Sequence, residues 1–72
     1  MATTREIAEF DLVELREDFE TAPAGATGGV LDILDGDMAM VEFTSLPADL
    51  GVDRILVVSI DKLRVIEPAR RR

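Results

Sequence analysis

The 72-residue chain carries 8 Lys+Arg against 15 Asp+Glu, a formal charge of −7 and a pI near 4.3, with 47% apolar and 32% charged residues. This is the composition of one small globular domain, which buries only about 60% of the surface its unfolded chain exposes and so has a thin core. Cys, His, Trp and Tyr are all missing. That excludes disulfides, thiolate or imidazole metal ligands, the usual base near neutral pH and most aromatic recognition.

The first patterned stretch admits two readings. Ile7, Phe10, Val13 and Leu15 lie at helical spacing behind a possible Thr3/Glu6 capping box, which would give a helix or irregular arm from about Thr4 to Phe19. In Asp11-Leu12-Val13-Glu14-Leu15, however, Val13 and Leu15 alternate with charges. A strand over roughly Phe10 to Leu15 is the preferred expectation.

Thr21 to Gly29 (TAPAGATGG) is dense in turn formers and predicts a loop. Its glycines lack the Lys and Ser/Thr of a phosphate-binding loop and open a strand rather than a helix. Strand-length apolar runs follow at Val30 to Leu34, Met38 to Phe43, Ile55 to Ile60 and Leu63 to Ile66. Asp35-Gly36 between the first two predicts a tight type I′ hairpin. Pro47 and Gly51 interrupt Thr44 to Asp53, and Pro68 ends the pattern. The expected architecture is mostly β, a single five-stranded SH3-like barrel over residues 1–68 with a basic tail at 69–72.

The order Asp11-Leu12-Val13-Glu14-Leu15, Gly25, Gly28-Gly29-Val30-Leu31, Val41-Glu42-Phe43 and Asp61-Lys62-Leu63 resembles a family of small uncharacterised bacterial domains with an SH3-like, KOW- or Tudor-like barrel. The resemblance spans roughly Ile7 to Glu67. It implies a fold, and neither an activity nor catalytic residues. The chain departs from the family pattern at Gly29, where Thr is favoured, and in a longer Thr44 to Asp53 connection.

Strand parity then points to a surface. With Ala39, Val41 and Phe43 inward, Met38, Met40 and Glu42 point outward, and with Leu56 and Val58 inward, Ile55 and Val57 do the same. Val30 inward exposes Leu31 and Ile33 unless a bulge near Gly29 shifts the register. The expected partner-binding set is therefore Leu31, Ile33, Met38, Met40, Glu42, Ile55 and Val57, an apolar stripe that needs a cover. The N-terminal arm, through Ile7 and Phe10, is one cover; a second copy or another protein is the preferred one.

Glu14, Glu17, Asp18 and Glu42 would form an acidic rim that steers a basic partner. The function expected is a small acidic protein-interaction module, a homodimer or a regulatory or immunity-type partner of another protein. The alternative is a nucleic-acid-associated barrel acting through Arg70, Arg71 and Arg72, against which stand the net charge and the shortage of aromatics.

Asp32, Asp35 and Asp37 bring three carboxylates together without the spacing of a Ca²⁺ loop, and are read as a solvated hairpin tip. No catalytic set, metal or cofactor is expected. Neither a membrane span nor a signal-peptide run is seen, so a cytoplasmic protein is the expectation.

Overall fold

The computed structural model describes residues 7–35 and 37–69. Five strands, β1 (Leu12–Leu15), β2 (Thr27–Leu34), β3 (Met38–Glu42), β4 (Ile55–Ser59) and β5 (Leu63–Glu67), form one antiparallel sheet in the order β4-β3-β2-β1-β5. The mostly β expectation holds. The sheet is open, with β4 and β5 at its two edges, so the closed barrel does not follow from the strand pairing.

Period-2 burial builds the core. Val13 and Leu15 of β1, Val30 of β2, Ala39 and Val41 of β3, Val58 of β4 and Leu63 of β5 all turn inward, and Phe43 lies just beyond β3 with no exposed surface. The alternative helix fails in its described part, 7–19, because Val13 and Leu15 bury one face of a ladder. Phe10 also sits at φ 73°, which no helix accepts.

β2 begins at Thr27, earlier than the glycine-rich composition suggests. Gly28 is required there. A Cβ at that position would stand 2.6 Å from the Phe43 Cα and 2.8 Å from the Glu42 carbonyl carbon, and closer still to the Glu42 carbonyl oxygen. Only a residue without a side chain lets the end of β3 approach the start of β2 this closely.

The β2–β3 hairpin differs from a two-residue type I′ turn. Leu34 pairs with Met38, leaving three residues between the strands, and the left-handed φ falls on Asp37 (62°). Three-residue hairpin loops place their left-handed residue last, and Asp tolerates it. Gly36 lies outside the described residues.

Residues 44–54 are more structured than Pro47 and Gly51 imply. Two short 3₁₀ turns within Ala48–Arg54 meet at Gly51 (φ 60°, ψ −128°), and Leu46 and Leu50 pack against the core. Ser45 anchors this connection, its hydroxyl accepting from Thr27 N–H (2.9 Å) while its N–H donates to Thr27 C=O (3.1 Å).

Among the described residues Asp11 is the one buried carboxylate, 3% exposed. It accepts Ala8 N–H (2.9 Å) on one oxygen and Ala69 N–H (2.7 Å) on the other, so it ties the entry to β1 to the exit from β5. Ala69 therefore belongs with the domain rather than with a fraying tail. Arg70 to Arg72 lie outside the described residues.

Candidate functional site

Two bulges decide which apolar side chains share a face. Val30 pairs with Val41 and Asp32 with Met40, which leaves Leu31 as an extra residue in β2. Leu12 pairs with Glu67 and Val13 with Val65, leaving Ile66 as the extra residue in β5. Directly opposed residues point to the same face, so the Leu31 bulge inverts the parity of everything after it in β2.

The expected stripe is divided accordingly. Met40 lies between Asp32 and Val57, Met38 between Leu34 and Ser59, and Glu42 between Gly29 and Ile55. Met38, Met40, Glu42, Ile55 and Val57 thus share the outer face of β3 and β4. Ile33 leaves this group, because it opposes the buried Ala39 on the inner side at the end of the sheet. Leu34 takes a place on the outer face instead. Sequence parity missed this pair because it hinges on where the extra residue falls; the bulge sits at Leu31, beyond the glycines that suggested one.

Val57 is 42% exposed, Leu31 and Ile33 are each 38% exposed, and Met38, Met40 and Ile55 are half-buried. The N-terminal arm does not bring Phe10 onto this surface as a cover. Phe10 is 72% exposed, held by its N–H to Val30 C=O (2.7 Å), while Ile7 packs against the core.

The acidic rim is largely neutralised from within. Glu14 pairs with Arg64, Glu17 with Lys62 (2.6 Å) and Glu42 with Arg54 (2.9 Å), while Asp18 accepts Ala24 N–H (2.9 Å). The exposed pairs Glu14–Arg64 and Glu17–Lys62 contribute about 0–1 kcal/mol each, whereas Glu42–Arg54 is partly buried. They latch β1 to β5 and β3 to the connection before β4, and they leave little of the rim's charge for a basic partner.

Arg54 also extends toward Leu46 C=O (3.5 Å), and its Nε is buried without a partner among the described residues. A shallow, open depression of about 460 Å³ lies between β1 and the loop before β2, lined by Glu14, Leu15, Arg16, Ala24, Gly25 and Arg64. Its wall mixes both signs of charge.

Asp32, Asp35 and Asp37 remain exposed, Asp32 accepting the N–H of Ile33 (2.9 Å). Among the described residues no three acidic side chains converge where a metal ion could be held. No helix there is long and apolar enough to cross a membrane. No family model, curated protein or solved structure matches the chain.

Proposed function

We propose that the protein is a small acidic protein-interaction module whose outer β3–β4 face takes a second copy of the chain or another protein. The observation that supports this is the gathering of Met38, Met40, Ile55 and Val57 on one side of two adjacent strands. Methionine adapts to imperfect partners and Val57 is substantially exposed. Glu42, paired with Arg54, borders the patch. We assign the domain to the SH3-like class as part of the same reading, supported by five antiparallel strands and by the short Ile60–Lys62 turn that leads into Leu63 and the last strand. A cytoplasmic location accompanies the proposal.

The nucleic-acid alternative gains no support from the described cations. Arg54, Lys62 and Arg64 are paired with glutamates, and Arg16 reaches Asp61 C=O (3.4 Å). Phosphate binding draws its strength from cations that can neutralise phosphates.

The test is solution mass by light scattering over about two decades of concentration, for wild type and Met40→Asp, joined to affinity purification of both from native cells. Association that the substitution abolishes supports the reading. A wild-type monomer that retains no protein lost by Met40→Asp refutes it.

A further inference from the structure

β4 ends the sheet, and its main chain has a pattern that the side-chain stripe does not reveal. Phe43 N–H donates to Arg54 C=O (2.9 Å) and Ile60 N–H to Asp37 C=O (2.9 Å), on either side of the β3–β4 ladder. Hydrogen-bonded positions in an antiparallel pair recur at every second residue. Arg54, Leu56, Val58 and Ile60 therefore turn their main-chain groups toward β3, and those of Ile55, Val57 and Ser59 point away from it. No described strand lies on that side.

Two of the outward groups are already committed. Ile55 N–H donates to Val52 C=O, and the Ser59 carbonyl opens the 3₁₀ turn Ile60–Lys62. Among the described residues the Ile55 carbonyl, both groups of Val57 and the Ser59 N–H remain without a partner. An unpaired edge of this kind is a template for another strand.

We propose that this edge pairs antiparallel with the same edge of a second copy, about a two-fold axis through Val57. In that register each Val57 N–H meets the other copy's Val57 carbonyl, and each Ser59 N–H meets the other copy's Ile55 carbonyl. All the open groups are used. The two committed groups, Ile55 N–H and Ser59 carbonyl, fall opposite one another, so neither copy buries an unsatisfied partner. Sliding by two residues in either direction would set an open group against a committed one and halve the hydrogen bonds. This self-complementarity favours a second copy over an arbitrary extended peptide, since a closed two-fold contact needs one patch that matches itself.

The residues agree with this choice. Ile55–Ser59 (ILVVS) has no charge and no proline, whereas the opposite edge strand (LRVIE) carries Arg64 and Glu67 and runs into Pro68. Charge and proline are what protect an edge from pairing. On the outer face the two Val57 side chains meet at the axis beside Met40, so the proposal rests on the interaction reading above and names its partner. Each copy carries −7. Added salt screens that repulsion and should strengthen the contact, the reverse of what a charge-steered basic partner would show.

The experiment combines light scattering at low and high salt with residue-resolved amide exchange of the wild-type protein across the same concentrations. The expected result is a monomer–dimer equilibrium that salt favours, with exchange at Val57 and Ser59 slowing in step with the dimer fraction. Val57→Pro, which removes an outward N–H that no bond among the described residues uses, should raise the dissociation constant at least tenfold with its circular dichroism retained. Val57→Thr, which keeps the amide, should not. Should Val57→Pro fail to fold, the wild-type exchange pattern decides.

A monomer throughout overturns the proposal, as does a dimer whose Val57 amide exchanges as fast as at infinite dilution. Mass growing beyond a dimer also overturns it, since head-to-tail pairing of β4 with β5 would then be at work. A dimer lost in Met40→Asp with Val57 unprotected defeats the edge pairing and leaves the outer-face reading standing. Val57 protection that survives Met40→Asp does the opposite.

Discussion

Gly28 and Gly29 are adjacent in β2, and Ala substitution should act on them in opposite directions. At Gly28 the added Cβ would lie 2.6 Å from the Phe43 Cα and 2.8 Å from the Glu42 carbonyl carbon. Carbon atoms prefer about 3.5–4.0 Å, so the backbones must separate locally by about 1 Å. Overpacking typically costs about 1–3 kcal/mol, and because backbone is what obstructs the methyl group the upper end applies, about 3 kcal/mol. A 72-residue domain has a stability of about 4–11 kcal/mol at the usual value per residue, and each kcal/mol moves the melting temperature of a domain this small by about 4–8 °C. Gly28→Ala should therefore melt about 12–24 °C below wild type. At Gly29 nothing lies within 4 Å of the added Cβ and the backbone is not left-handed. Gly29→Ala should be neutral or more stable by up to about 1 kcal/mol, through the entropy of the unfolded chain. With no Trp or Tyr, far-UV circular dichroism or calorimetry is the suitable assay. A Gly28→Ala protein within about 0.5 kcal/mol of wild type, a typical surface-substitution effect, would refute the close approach of β2 and β3, and with it the register that sets Gly29 opposite Glu42.

Two further outcomes can be checked by the same thermal melts. Asp11→Ala removes both carboxylate acceptors from Ala8 and Ala69 N–H and should cost about 2–4 kcal/mol, with Asp11→Asn losing about half as much; equal stability of all three proteins would contradict the clamp. Phe10→Gly removes a side chain that is 72% exposed from a left-handed backbone, so stability should stay level or rise by about 1 kcal/mol, the strain relieved being partly offset by the flexibility of glycine; a loss larger than that would mean the ring packs on the domain.

Local patterning determined much of this protein. Alternation around Val13 and Leu15, the apolar runs and the breaks at Pro47 and Pro68 carried the five strands, because period-2 burial and turn chemistry are written in neighbouring residues. The outer placement of Met38, Met40, Ile55 and Val57 followed from the same parity. Other features required the tertiary structure, since each depends on segments far apart in the chain. The bulge at Leu31 sends Ile33 inward and Leu34 outward, a choice set by how β2 meets β3. Gly28 is dictated by the backbone at Glu42 and Phe43, which no pattern around residue 28 announces. Asp11 reads as one more surface acid, and only the meeting of the segments before β1 and after β5 buries it beneath Ala8 and Ala69. The acidic rim likewise loses open charge, to Lys62 and Arg64 up to 50 residues away in sequence because the pairing of β1 with β5 brings opposite charges together, and to Arg54 where the connection before β4 returns to β3.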